Sequence, residues 1–253
     1  MSVQMILALL LLLLMGAVGG RRGLSSFLSL FFNFAVLYVL VLLLINGFPA
    51  LFVTLMACSV VGYINLFYIN GVNVKTKAAF IATIVTTFFL LVLIVLVHRF
   101  AMIQGFGPEE VEEYTTLSFF VNVDFVQIGI CTMITGTITA ITDTAISISS
   151  SLHEVHHRNP QLDEKELFRS GMTIGKDIIG TTTNTLYFSF IGGYLALFLW
   201  FRDLSYSFGE VLNAKVFVSE VLSMFVIGIG VTGIIPLTAW ITARMLLNKS
   251  SRA

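Results

Sequence analysis

One carboxylate stands inside a threonine-rich apolar stretch, and it is the side chain most able to do chemistry in this sequence. The stretch Ile134–Ser149 reads ITGTITAITDTAISIS, with the carboxylate at Asp143. A charged side chain at the centre of a bilayer costs about 2.5–3.5 kcal/mol on insertion scales, and such groups face a protein interior or a water-filled cavity. Asp143 is therefore the first candidate for binding a cation or carrying a proton.

Polar residues recur around this carboxylate at helical spacing. Five residues share one helix face: Thr132, Gly136, Thr139, Asp143 and Ser147. Small and hydroxylated residues are also the usual packing surface between membrane helices, so the threonines and glycines alone favour packing. Asp143 favours a functional role over packing, because a buried charge needs a partner or a proton. Asp124 lies roughly 28 Å away at 1.5 Å per residue and is a possible outer site.

A second polar run, GKDIIGTTTNTLYF over Gly175–Phe188, begins the next apolar segment. Asp177 and Asn184 share a helix face there with Thr181 and Thr185. If the two segments pack together, Asp143 and Ser147 meet Asp177 and Asn184 at similar depth. Lys176 is then a candidate counter-charge.

A third pattern resembles a metal-binding motif. His153-Glu154-Val155-His156-His157 matches H-E-x-x-H, in which two histidines on one helix face bind zinc and the glutamate acts as a base. Asn159-Pro160 follows at once, where a helix is expected to end, and no later motif supplies a third ligand. The sequence favours a solvated loop of mixed charge over regulatory or adventitious metal binding by His153, Glu154 and His157. Zinc catalysis is the weakest alternative.

The elements that position these residues are transmembrane helices. The 253 residues are 57% hydrophobic and 11% charged, with a mean hydropathy of +0.95. Soluble domains carry roughly 25% charged residues. We therefore predict one all-α domain over residues 1–253, a polytopic helix bundle in contact with the lipid bilayer. The net charge is zero, so no nucleic-acid partner is expected.

A spanning helix needs about 20 predominantly apolar residues, and about seven segments qualify. They are Val3–Val18, Phe27–Ile45, Pro49–Ile69, Ala78–Val97, Phe119–Ser147, Ile178–Phe201 and Val218–Leu246. With the N-terminus outside and the C-terminus inside, eleven of the fourteen Lys and Arg residues are cytoplasmic, in agreement with the positive-inside rule. Residues 151–175 are too polar to span, and we predict there a short amphipathic helix on the cytoplasmic face.

The sequence resembles the YibE/F family of bacterial membrane proteins. Three runs resemble its blocks: GTITAITDTAISISSSLHE (Gly136–Glu154), RSGMTIGKDIIGTTTNTLYFSFIGGYLALFL (Arg169–Leu199) and VIGIGVTGIIPLTAWITA (Val226–Ala243). The motif positions carried over by this resemblance are Asp143, Ser147, Glu154, Gly175, Asp177, Gly180, Thr183, Asn184 and Thr185. The family typically has arginine where Lys176 stands. The length suggests the shorter, YibF-like type.

The resemblance also implies a location and a partner. It implies a multi-pass protein of the bacterial inner, or cytoplasmic, membrane. Members of the two types tend to occur as neighbours, which suggests a homo- or hetero-oligomer with a YibE-like membrane protein.

Two functions follow from these patterns. The first is a transporter or permease for an ion or small polar solute, with Asp143, Thr139, Ser147, Asp177, Thr183 and Asn184 as binding residues. The alternative is a non-catalytic membrane subunit whose polar faces dock a YibE-like partner. A membrane zinc metallopeptidase is the remote alternative. We expect no enzymatic activity and no cofactor.

Overall fold

The computed structural model describes residues 3–103, 105, 107 and 124–250. The predicted all-α class is confirmed there, since these residues form helices and no strand. The helices are α1 (Val3–Ile45), α2 (Ala50–Tyr63, continued by a π-helical turn over Ile64–Tyr68), α3 (Val74–Ala101), α4 (Phe125–Arg158), α5 (Glu164–Gly193), α6 (Leu195–Asp203), α7 (Phe208–Asn213) and α8 (Lys215–Ser250). The predicted start of the fifth span at Phe119 lies outside the described residues.

Five described helices are long and apolar enough to cross a membrane: α1, α2 with its π-helical turn, α3, α4 and α8. A sixth candidate combines α5 and α6, which meet at a bend of 49°. The chain is therefore a membrane protein. The predicted count of seven differs from this number because the first two predicted spans both fall within α1.

Helix α1 is interrupted at Gly20, whose backbone has φ 56° and ψ −134°. Glycine reaches this region without steric cost, whereas side chains disfavour it. The chain turns back sharply here, since a Cβ added at Gly23 would collide with the backbone carbonyl of Met15. The two predicted spans are thus separated by a backbone break rather than by a loop.

The core of the bundle lies among α3, α4 and α8, with α2 packed on α4 and α1 packed chiefly on α2. Ile134 and Ile141 of α4 and Ile234 of α8 are fully or almost fully buried. A Cβ added at Gly230 of α8 would meet Leu90 of α3 and Ile141 of α4. These close approaches fix α8 against its two neighbours.

Two glycines let α5 approach α8 closely. A Cβ added at Gly171 would lie 2.7 Å from the Cβ of Ala239, and one added at Gly175 would overlap the side chain of Ile235. This is the small-residue spacing that allows membrane helices to pack backbone against backbone. The resemblance marked Gly175 as a motif position, and the structure gives its packing role.

The predicted short amphipathic helix over residues 151–175 is not a separate element. Helix α4 continues to Arg158, the chain turns at Asn159–Leu162, and α5 then runs unbroken from Glu164 to Gly193. Asp163 and Glu166 form a capping box, with the Asp163 carboxylate accepting from the Glu166 amide at 2.7 Å. Gly171 and Gly175 pack against α8, and the helix continues through both of them into its apolar part. The turn at Asn159-Pro160 was correctly predicted.

Candidate functional site

The polar face predicted for α4 is a surface feature of the chain. Its five members, Thr132, Gly136, Thr139, Asp143 and Ser147, are all exposed. The opposite face is apolar and buried, with Ile141 and Ile148 both 0% exposed. The helical spacing therefore identified the face correctly, but this face points away from the core of the chain.

Asp143 is the member of this face whose polar atoms remain unmatched. The Thr139 hydroxyl donates to the Thr135 carbonyl at 3.0 Å, and the Ser147 hydroxyl donates to the Asp143 carbonyl at 2.7 Å. Within the described part of the chain, the Asp143 carboxylate has no hydrogen bond and no ion pair. In a bilayer such a group requires water, a proton or a group from another chain.

The polar residues of α5 are exposed as well. These are Lys176, Asp177, Thr181, Thr183, Asn184 and Thr185. Asp177 and Asn184 lie on the side of α5 opposite Gly175, and hence away from the contact with α8. Among the described residues, no hydrogen bond or ion pair joins Asp143 or Ser147 to Asp177 or Asn184. The two polar faces are thus both available to a further chain.

A cavity of about 880 Å³ opens where α1 and α2 meet the beginning of α4. We call it the outer cavity; Asp124, Gln127, Thr132 and Thr135 are among its lining residues. The Asp124 carboxylate caps α4, accepting from the backbone amides of Val126 at 2.9 Å and Gln127 at 3.2 Å. Asp124, which the sequence suggested as a possible outer site, is therefore a helix cap at the wall of this cavity.

A second cavity of about 180 Å³ lies deeper between α1, α2 and α4. We call it the inner cavity; its polar lining residues are Asn33, Cys58, Asn65, Thr135, Thr139 and Thr142. Leu40 and Thr135 line both cavities, so the two are adjacent. Of the predicted site residues, Thr139 belongs to this lining.

Asn33 and Asn65 were missed by the sequence reasoning. The Asn33 amide donates to the side-chain oxygen of Asn65 at 2.8 Å, across the contact between α1 and α2. Each asparagine is an isolated amide in an apolar segment, FFNFAVL and GYINLFY, and this is the signal that was available. Intramembrane polar residues of this kind mark interhelical contacts and solute pathways.

Glu220, near the beginning of α8, was also missed by the sequence reasoning. The Tyr194 hydroxyl, at the bend between α5 and α6, donates to the Glu220 carboxylate at 2.6 Å. This bond ties the bent pair to α8. We assign it a structural role at the bend.

The histidine-rich string was predicted as a solvated loop, and this was wrong: the string forms the last turns of α4, which continues to Arg158. Glu154 accepts from Arg158 at 2.7 Å, and both side chains are largely solvent-exposed. His153 and His157 lie one turn apart on the same helix. Within the part of the chain that the structure describes, no group of three or more His, Cys, Asp or Glu side chains converges as a metal site.

The family described as YibE/F-like protein matches residues 7–248, nearly the whole chain. No curated protein matches the chain, and no solved structure does. The match spans α1 through α8 and includes both polar faces and both cavities. The chain therefore belongs to the YibE/F-like family.

Proposed function

We propose that this protein is a transporter or permease for an ion or a small polar solute. The observation that carries the proposal is the polar face of α4, which runs from the outer cavity past the inner cavity to Ser147. Polar groups spaced along one intramembrane helix provide successive binding positions for a solute that has left water. Asp143 is the carboxylate among these positions.

In the proposed mechanism, Asp143 binds a cation or carries a proton. Thr139 and Ser147 lie one turn away on either side and supply neutral oxygens, which suit hard cations and polar solutes. Protonation of Asp143 removes its charge and releases a bound cation. Asp177, Thr183 and Asn184 face outward on α5, and we assign them to the same pathway in an assembled oligomer.

We also propose seven spans, with the N-terminus outside and the C-terminus inside a bacterial cytoplasmic membrane. A straight helix of 43 residues extends about 65 Å, twice the roughly 30 Å of a bilayer core, so the break at Gly20 supports two spans in α1. Gly136 of α4 packs on Ile227 of α8, and the later Ile141 meets Gly230, so α4 and α8 run parallel. Their basic C-terminal ends therefore lie on one side of the bundle, as the positive-inside rule requires.

The second candidate function is a membrane subunit that docks a YibE-like partner. The exposure of Asp143, Asp177 and Asn184 favours it, because lipid is a poor solvent for carboxylates and amides. A partner chain carrying a complementary cation would cover these groups. A second copy of this chain would do so as well, through Lys176.

Flux measurements in proteoliposomes test the transport proposal. Wild type, Asp143→Asn and the matched control Asp203→Asn, at an exposed residue that ends α6, are compared for cation and proton flux. We expect flux in wild type and in the control, and its loss in Asp143→Asn. Equal flux in all three would contradict the proposed role of Asp143.

Absence of flux from every folded sample would favour the subunit function. The same three proteins are then co-purified with a YibE-like partner. In that case Asp143→Asn should weaken the complex, and Asp203→Asn should not. A complex undiminished in Asp143→Asn would count against docking through this carboxylate.

A further inference from the structure

The inner cavity unites polar groups from three helices that are far apart in sequence. Asn33 comes from α1, Asn65 from the π-helical turn of α2, and Thr135, Thr139 and Thr142 from α4. Its volume of about 180 Å³ corresponds to several water molecules at about 30 Å³ each. The space is therefore large enough for a small solute, and polar enough to hold one in place.

A distortion of α2 places Asn65 at this cavity. Residues Ile64–Tyr68 form a π-helical turn at the end of α2. π-Helical turns are rare and are found frequently at functional sites. Here the turn brings the Asn65 side chain into its hydrogen bond with Asn33. That bond fixes both amides at the wall of the cavity.

The polar atoms around the inner cavity differ in whether they already have hydrogen-bond partners. The side-chain oxygen of Asn33 is buried and has no hydrogen-bond partner in the part of the chain that the structure describes. The three threonine hydroxyls already donate to carbonyls of α4, at distances of 2.9, 3.0 and 2.7 Å, so their oxygens keep only acceptor capacity toward the cavity. Apart from the amide N–H groups of Asn33 and Asn65 and the Cys58 thiol, which donates to Thr135 at 3.9 Å, the described wall offers acceptors, and these suit a ligand that donates hydrogen bonds or carries positive charge.

The surrounding charges select between these ligands. Among the described residues, neither cavity is lined by a lysine or arginine. Asp143 lies one helical turn beyond Thr139, about 6 Å along the axis, and Asp124 lines the outer cavity. Two exposed carboxylates near these cavities attract a cation toward them. Divalent cations prefer carboxylate ligands, and no carboxylate is among the described residues of the inner cavity wall, so the expected charge is one.

We propose that the inner cavity is a binding site for a monovalent cation that has lost most of its water. Asn33, Thr139 and Thr142 supply neutral oxygens, and the outer cavity supplies the entry. The inference rests on the proposed function only where it identifies the bound cation with the transported one. Both alkali-metal ions and small ammonium ions have this chemistry, and the apolar part of the wall accommodates an alkyl group.

Equilibrium binding to the purified full chain in detergent tests the site without requiring transport. Sodium, potassium and methylammonium chlorides are titrated at constant ionic strength against choline chloride, with heat and thermal unfolding as readouts. We expect saturable binding of at least one cation by wild type. The cation that binds identifies the source, and a wild type that binds none of the three overturns the proposal.

Three variants locate the site. Thr139→Val keeps the shape of an exposed residue and removes one oxygen, and Asn33→Leu removes the unpartnered side-chain oxygen together with the hydrogen bond to Asn65. Each should weaken binding about tenfold or more, since an oxygen that contacts the charged ligand is being lost. Asn213→Leu, at an exposed residue of α7, is the matched control and should bind as wild type does.

The cation site and the transport function can each fail without the other. Unchanged affinity in folded Thr139→Val and Asn33→Leu would overturn the inner cavity as the site, even if Asp143→Asn abolishes flux. Weakened binding in both variants, without flux in any sample, would support the cation site and leave the transport proposal refuted.

Discussion

Replacing Gly175 by alanine is expected to separate α5 from α8. The added Cβ would overlap the side chain of Ile235, which is 1% exposed and so has no free space to enter. The same change at Gly180, one and a half turns later on α5, meets nothing within 4 Å. The pair therefore compares one chemical change at a packed and at an open position of a single helix.

The magnitude follows from the difference between the two sites. Both variants gain about 0.8–1.0 kcal/mol of helix propensity, so this contribution cancels in the comparison. Overpacking a well-packed interface costs about 1–3 kcal/mol. We therefore expect the free energy of unfolding of Gly175→Ala to be about 1–3 kcal/mol lower than that of Gly180→Ala.

The assay is reversible unfolding of the purified protein in mixed micelles, followed by far-ultraviolet circular dichroism. Gly175→Leu serves as a stronger perturbation and should be less stable than Gly175→Ala. Equal stability of Gly175→Ala and Gly180→Ala would refute the close packing of α5 on α8. It would also remove the structural explanation for glycine at position 175.

Two further changes test other parts of the fold by the same unfolding assay. Gly20→Ala places a side chain at φ 56° and should cost about 1–3 kcal/mol relative to Gly19→Ala; equal stabilities would argue against the break in α1. Tyr194→Phe removes the hydrogen bond to Glu220 and should cost about 1–3 kcal/mol, whereas Tyr187→Phe, at an exposed ring, should be neutral; a neutral Tyr194→Phe would contradict that bond.

The polar face of α4 could be predicted from the sequence because it depends on local periodicity alone. Thr139, Asp143 and Ser147 recur at the interval of one helical turn, and a helix with this spacing presents them together in any fold. Whether that face meets the core or the surroundings depends on the other helices. The sequence predicted the composition of the face, and the structure shows its exposure.

The inner cavity could not be predicted in the same way. Asn33 and Asn65 are 32 residues apart, and their hydrogen bond depends on how α1 folds back onto α2 and on a π-helical turn. No spacing rule links two such positions. Each asparagine was visible as an isolated polar residue, but their pairing arises from tertiary packing.

The helix boundary near residue 175 was misplaced for a related reason. Gly171 and Gly175 disfavour a helix by local propensity, and the charges between Glu154 and Arg169 suggested an element outside the membrane. In the structure, contact with Ala239 and Ile235 of α8 outweighs that propensity. The capping box of Asp163 and Glu166 thus sets where α5 begins, and tertiary contact lets it run through the two glycines.

The position of α1 has a consequence for how the inner cavity gains and loses its contents. In the most apolar 18-residue window of α1, 11% of the residues are buried, against 44% in α4. Regions with few buried contacts open locally at a lower free energy than the whole fold. The cavity wall that carries Asn33 is therefore the least tightly held side of its enclosure, and amide exchange should be faster in α1 than in α4. If the inner cavity binds a solute as proposed, local release of α1 from the α3–α4–α8 core is expected to widen the entry through the outer cavity, whose wall α1 also forms.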